Sequence, residues 1–350
     1  MTCAFTAEEY IGALRDGRLI GPEQAPLETR YIAVGGRKIR LNFYTRRGAS
    51  FVMPAFRHLE REVIGEPSLT VTICDAHSAT DAFRRSPWRE EIEASRDKIL
   101  MLNADAFHMQ YNPDTTIYSL IDVEAKQAFY YANDFDTVPY YEQSAPLKFI
   151  LHWWSEAQGF CLVHAAAVGV GDTGVLIVGR GGSGKSTTAV SAALHGLRYA
   201  GDDYVVLSHQ SEPSALSIYC SGKVNGDVLA GLPVLQPHIV NPDRQATDKA
   251  LVFLGEPFRS VWTESVQLKA IIATKITGGK VSLRQSPATL IFAEIASSTI
   301  FQMPGSGSRT LAALKKLFQE LPVYTLELDV DLAVNAGMIH DFCLHARGEK

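Results

Sequence analysis

Hydrophobic and polar positions alternate along the first third of the chain. Ile39, Leu41 and Phe43 are apolar within Arg37 to Tyr44, and Tyr31-Ile-Ala-Val34 forms a matching arm across Gly35-Gly36. That pattern predicts a β-hairpin. Further strands are predicted at Leu69 to Cys74, Lys98 to Asn103, Ala106 to Tyr111, Thr115 to Ile121 and Lys126 to Tyr131, with a turn at Asn112-Pro-Asp114. The spacing of these runs leaves little room for helical crossovers, so a mainly antiparallel β domain is expected over residues 1–140. Thr6-Ala-Glu-Glu9 has the form of a capping box and opens a short helix that stops near Gly17.

The period then changes. Pro146 lies in the first turn of a predicted helix that carries Leu147, Ile150, Leu151 and Trp154 along one side. Trp153 and Trp154 on such a helix read as core or domain-interface residues, with a ligand platform as the alternative. A boundary is expected near residues 133 to 146, with a second domain over 141–350. There, Cys161 to Val170 and Gly174 to Val178 flank a turn at Gly171 and predict a second hairpin. Thr187 to Leu197 follows as a helix with Ala189, Ala193, Leu194 and Leu197 on one side. Strands are predicted at Tyr204 to Leu207, Ala215 to Tyr219, Leu268 to Thr274, Val281 to Arg284 and Val323 to Leu328. Helices are predicted from Ser286-Pro287 to about Ser297, over Thr310 to Leu321, and from Asp331 to Leu344. The expected fold class is α+β with α/β: a mainly antiparallel β domain followed by an α/β domain.

Composition narrows the functional classes. With 46% hydrophobic and 20% charged residues, the 350-residue chain has an ordinary globular balance. A formal net charge of -5 gives no basic surface for nucleic acid. No run approaches the roughly 18 apolar residues of a membrane span. The N-terminus lacks the basic and apolar regions of a signal peptide. Five scattered cysteines without C-x-x-C spacing suit reduced thiols, so a cytoplasmic location is expected.

The chemistry concentrates in Gly174-Val-Leu-Ile-Val-Gly-Arg-Gly-Gly-Ser-Gly-Lys-Ser-Thr-Thr188. Within it Gly179, Arg180, Gly181, Gly182, Ser183, Gly184, Lys185 and Ser186 fit G-x-x-x-x-G-K-[ST], the phosphate-binding P-loop, and Thr187 follows. A β-branched strand precedes the loop and a helix follows it, which is the context the motif requires. The four glycines allow positive φ, so backbone N–H groups can turn toward phosphate oxygens. The helix N-terminus adds further N–H groups and the positive end of its dipole. Lys185 would reach the outer phosphates of ATP, and Ser186 would ligate Mg²⁺. Asp202 and Asp203 end the strand straight after the P-loop helix. Two carboxylates at that place could divide the labour, one organising the metal and the other accepting a hydroxyl proton. His164, expected in the strand paired with the P-loop strand, is placed to hydrogen-bond one of them, or else is a satisfied core histidine.

In that order and spacing, His164-Ala-Ala-Ala167, the loop 179–186 and Gly201-Asp202-Asp203 resemble the HPr kinase/phosphorylase family. They resemble most its stand-alone serine-kinase relatives, including kinases of lasso-peptide precursors. The resemblance implies a nucleotide-binding core like that of phosphoenolpyruvate carboxykinase. It implies His164 and Asp202 as the proton-handling pair, Ser186 and Asp203 at Mg²⁺, and Lys185 on the phosphates. Lys223 and Lys249 fall where such relatives often carry lysine, and a homo-oligomer is plausible by the same resemblance. Thr187 stands where HPr kinases carry an acidic residue, and their later Gly-Arg-Asn signature is absent. The implied activity is transfer of the ATP γ-phosphate to a serine-type hydroxyl of a peptide. A kinase of free serine or another metabolite, and an ATP-sensing module without transfer, remain as alternatives.

Overall fold

The computed structural model describes residues 7–16, 19–20, 25–62, 65–78, 100–103, 106–245, 247–256, 258–303 and 307–348. Thr6 of the expected capping box, and residues 98–99 of one expected strand, lie outside them. Two compact units form: residues 1–53 with 60–157, and residues 54–59 with 158–350.

The first unit contains α1 (Ala7–Arg15), β1 (Glu28–Val34), β2 (Arg37–Phe43), β3 (Leu69–Asp75), β4 (Leu100–Asn103), β5 (Phe107–Asn112), β6 (Ile117–Asp122) and β7 (Gln127–Ala132). They make one seven-stranded sheet in the order β1-β2-β3-β7-β6-β5-β4. The hairpin β1–β2 forms as expected. However, β3 pairs parallel with both β2 and β7, so the sheet is mixed rather than antiparallel. A parallel neighbour needs a crossover, and the chain between β2 and β3 supplies one through α2 (Arg46–Phe56). Tyr10, Ala13 and Leu14 of α1 pack with Met109, Leu120 and Phe129 to form this unit's core.

The first unit continues past residue 140. The helix α3 (Lys148–Ala157) belongs to it, and the division falls after Ala157. The physical reason is the tryptophan pair: Trp153 and Trp154 are buried, the Trp153 ring stacks on His108 at 5.2 Å, and Trp154 Nε1 donates to Ser68 Oγ at 3.2 Å. They are core residues of this unit.

The second unit opens with β8 (Cys161–Val163), β9 (Ala166–Val170) and β10 (Thr173–Val178), followed by α4 (Lys185–Leu194), β11 (Arg198–Gly201), β12 (Val205–Ser208) and β13 (Ser214–Leu216). A ribbon of β14 (Ser221–Val224) and β15 (Ala250–Phe253) comes next. Then follow β16 (Ser265–Ile276), β17 (Ser282–Gln285), α5 (Ala288–Gln302), α6 (Ser308–Glu320), β18 (Val323–Leu328) and α7 (Leu332–Arg347). The central sheet runs β11-β9-β10-β16-β13-β12-β8, with β18 beside β16 and β17 beside β18. Its β10–β16 and β16–β18 pairs are parallel, and β9–β10 is the expected antiparallel hairpin.

Alternation explains the layering. Val175 and Ile177 of β10 and Ala270 and Ile272 of β16 face a core shared with α4 and α7. Leu176, Val178, Ile271 and Ala273 face the opposite core, shared with α5 and α6. Strands buried on both faces read as continuous apolar runs, as these do. No helix among the described residues is long and apolar enough to cross a membrane.

Candidate active site

The loop between β10 and α4 is shaped by glycine. Gly179 has φ +152°, and a Cβ there would lie 2.3 Å from Ser183 Oγ. Gly184, the residue before α4, has φ +91°, and its Cβ would lie 2.4 Å from Leu328 Cδ1. Gly182 is also left-handed at φ +82°. Gly181 is not; it leaves open space where a side chain would stand. Ser183 N–H donates to Arg180 O at 3.1 Å, and Ser183 Oγ meets Thr274 Oγ1, at the far end of β16, at 3.0 Å. Gly184 supplies no side-chain cap to α4, and the first N–H groups of a helix have no intrahelical acceptor.

Lys185 and Ser186 occupy that first turn and are buried. Lys185 Nζ lies 3.5 Å from Asp202 Oδ1, and neither atom has a hydrogen-bond partner. A buried ammonium with unused donors is costly unless something completes its shell. Phosphate oxygens would do so, and this orphaned amine is the feature that fits the chain for a nucleoside triphosphate.

The turn after β11 separates the two aspartates. Asp203 takes φ +69°, a left-handed conformation that costs a non-glycine residue about 1–2 kcal/mol. The two carboxylates consequently have different partners. Asp202 has no exposed surface; its Oδ1 faces Lys185 and its Oδ2 accepts the Lys223 backbone N–H at 3.4 Å. Asp203 Oδ1 lies 3.1 Å from His164 Nε2, and Asp203 Oδ2 lies 2.5 Å from Lys223 Nζ. His164 therefore partners Asp203, whereas the resemblance paired it with Asp202.

His164 also lies outside the strand in which it was expected. The apolar run breaks at His164-Ala165, between β8, which pairs with β12, and β9, which pairs with β10 and β11. At this change of partner, Ala165 N–H bonds back to Val163 O at 3.1 Å. The resulting bend aims the imidazole at Asp203.

Charges in the site are strongly perturbed. Burial lowers the His164 pKa and outweighs the opposing pull of Asp203, so the ring is neutral near neutral pH. Burial raises that of Asp203, but Lys223, the His164 hydrogen bond and Lys185 together hold it well below the usual carboxylate range. A neutral imidazole thus stands beside an ionised carboxylate.

One cavity collects these groups. It is lined by Arg180 through Thr187, with His164, Asp203, Asn225 and Lys249. Arg180, Lys185 and Lys249 line it together with the Asp203 carboxylate, and cationic side chains in a cleft attract a polyphosphate. Arg180 also pairs with Glu294 at 3.4 Å. Of the residues singled out from the sequence, the structure brings together Arg180 through Thr187, His164, Asp203 and Lys249, with Gly179 at the base of the loop outside the lining. Lys223 joins through Asp203. Asp202 stays behind the cavity wall. Thr274 and Asn225 escaped sequence reasoning, since neither carries a motif and only the fold places them here.

No family model matches the chain, and no curated protein matches it. Among solved structures, the chain is similar to the Hpr(Ser) kinase/phosphatase from Coxiella burnetii. The identity is 11% and the TM-score 0.28, over 53% of this chain and 91% of that one.

Proposed function

We propose that this protein is an ATP- and Mg²⁺-dependent phosphotransferase that moves the γ-phosphate to a serine-type hydroxyl. The observation that carries the reading is a single cavity holding both halves of the chemistry: a glycine cradle with the Lys185 amine, which has no hydrogen-bond partner, and the His164–Asp203 pair.

The loop N–H groups and Lys185 bind the phosphates and spread their developing charge over fixed donors. Ser186, with phosphate oxygens and water, would hold Mg²⁺, which supplies charge neutralisation at the transferred group when bound. Asp203 receives the proton of the attacking hydroxyl, and His164 and Lys223 hold its carboxylate in place. This moves the proton-accepting role from Asp202 to Asp203, which the resemblance had placed at Mg²⁺: Asp202 has no surface to offer a substrate, and it positions Lys185 instead. A base must come within hydrogen-bond reach of the proton it takes.

A second observation favours a peptide over free serine. Phe253 lies opposite Ser221 on the β14–β15 ribbon, on the same face as Lys223. With Pro54, Arg57, His238 and Glu256 it lines a cavity of about 290 Å³. Three residues of ribbon, about 10 Å, separate Phe253 from Ala250, the neighbour of Lys249 in the first cavity. A peptide residue flanking the accepting serine would fill this second cavity, whereas free serine would leave it empty.

Mass spectrometry after incubation with MgATP tests the proposal. Serine-containing peptides are expected to gain phosphate, and free serine to gain little. A protein that binds or hydrolyses ATP and phosphorylates neither would overturn the reading in favour of an ATP-sensing module.

A further inference from the structure

The β14–β15 ribbon ends beside the glycine loop, and the start of β15 is gripped there by a side chain. Ile239 bridges to Val252, and the Val240 N–H donates to Leu251 O at 2.9 Å, so this segment begins to pair antiparallel with β15. Pro242 comes two residues later, has no N–H, and ends that pairing. The Asn241 side chain takes over from the backbone. Its Nδ2 donates to Lys249 O at 2.9 Å, and its Oδ1 accepts the Leu251 N–H at 2.8 Å. A carbonyl only accepts and a backbone N–H only donates, so these two partners fix the orientation of the amide.

The grip falls on a residue of the site. Lys223 lies opposite Leu251 and Val224 opposite Ala250, so Asn225 and Lys249 stand one position beyond the last pair of the ladder. Successive side chains of a strand point to opposite faces, which puts Lys249 and Asn225 on the face of Lys223. Both line the cavity with Arg180 through Thr187. Val224 and Ala250, on the other face, are buried in the core shared with α4. A two-stranded ribbon has little stability of its own. A slip of one residue would turn Lys249 away from the cavity and toward that core. Asn241 holds the backbone on both sides of Ala250 and opposes such a slip.

We propose that Asn241 is a positioning residue that holds Lys249 in the cavity as a second ammonium contact, besides Lys185, for the bound polyphosphate. The inference rests on the nucleotide-binding half of the proposed function and not on phosphoryl transfer. Lys185 comes from the helix after the loop and Lys249 from the ribbon, so two separate elements bring cations to one ligand. Asn241 does not line the cavity and acts through Lys249.

Calorimetric titration of the full-length protein with MgATP, and separately with tripolyphosphate, tests this as a cycle of variants whose folding is checked by thermal melts. Lys249→Met should weaken ATP binding by about tenfold to a hundredfold, the worth of a charge-assisted contact to phosphate. Asn241→Leu, which keeps the volume and removes both hydrogen bonds, should reproduce much of that loss. Asn241→Ala serves the same cycle where the leucine variant does not fold. In the Lys249→Met background, the Asn241 change should alter Kd by less than about twofold. Tripolyphosphate should follow the same pattern, because Lys249 meets phosphate and not the base. A readout independent of any variant is acetylation of Lys249 followed by mass spectrometry, which bound ATP should suppress. Losses that multiply in the double variant, or an unaltered Kd in a folded Asn241 variant, would overturn the positioning role. Equal acetylation of Lys249 with and without bound ATP would overturn the phosphate contact. If the cycle behaves as stated and no peptide is phosphorylated, the inference is upheld and the phosphotransferase reading falls. A wild type that binds neither ATP nor tripolyphosphate would overturn both.

Discussion

Replacing Lys185 with methionine isolates the electrostatic core of the site. The methionine fills nearly the same channel and removes one charge. In the wild type, Lys185 Nζ stands 3.5 Å from Asp202 Oδ1, with the carboxylate fully buried. At an effective dielectric constant of about 20, unit charges at that distance attract by about 5 kcal/mol. Removing the ammonium also returns the cost of burying it without hydrogen bonds, so the net loss should be smaller, about 3 kcal/mol, as for other broken buried pairs. For a unit of this size that lowers Tm by about 10 °C. The diagnostic is the cycle with Asp202→Asn. Once the carboxylate is neutral, the same Lys185→Met change should cost less than about 1 kcal/mol, a coupling of about 2 kcal/mol. Urea unfolding followed by tryptophan fluorescence, with thermal melts beside it, measures all four proteins. Equal costs in the two backgrounds would refute the pairing, and with it the claim that Asp202 serves Lys185. The same melts with MgATP add a second reading. ATP at about 100 times its Kd should stabilise the wild type by about 2.7 kcal/mol and Lys185→Met far less.

Three further outcomes follow from single positions. His152 is buried, has no hydrogen-bond partner, and its pKa is lowered to about 4, first by burial and then by His108. The unfolded chain therefore takes up that proton first, so stability is full above about pH 6.5 and falls by about 3 kcal/mol toward pH 4; His152→Leu should flatten this loss in unfolding titrations. Gly184→Ala forces a left-handed φ and a contact with Leu328, so it should cost about 1–3 kcal/mol and weaken ATP binding at least about tenfold by calorimetry. Thr274→Val removes the hydroxyl that holds Ser183, and should raise KM for ATP several-fold with kcat nearly unchanged; a fall in kcat alone would contradict that role.

The parts of the site that were legible in the sequence are those built from local chain. Val175 to Val178, the glycines and the α4 helix share one short segment, so spacing alone predicts the cradle. Asp202-Asp203 was legible for the same reason, but the allocation of partners was not. A φ of +69° at Asp203 sends the two carboxylates in different directions, and no residue type announces that angle in advance. The grip on His164 comes from Thr299 and Gln302, more than a hundred positions away, and depends on α5 running one turn longer than its apolar pattern suggests. In the first unit the strands were visible by alternation, but β3 sits between two parallel partners, an order set by the crossover through α2 and by burial. Alternation identifies faces; it does not identify neighbours.

The central claim is that Asp203, held by His164 and Lys223, accepts the proton while Asp202 only positions Lys185. Single-turnover phosphoryl transfer from ATP to a serine peptide, compared for Asp203→Asn and Asp202→Asn at saturating nucleotide, tests it most directly. Asp203→Asn should lower the transfer rate by about a hundredfold or more with ATP still bound. Asp202→Asn should act mainly on ATP affinity, through Lys185. Near-normal transfer by Asp203→Asn, with transfer abolished at saturating ATP in Asp202→Asn, would contradict the account.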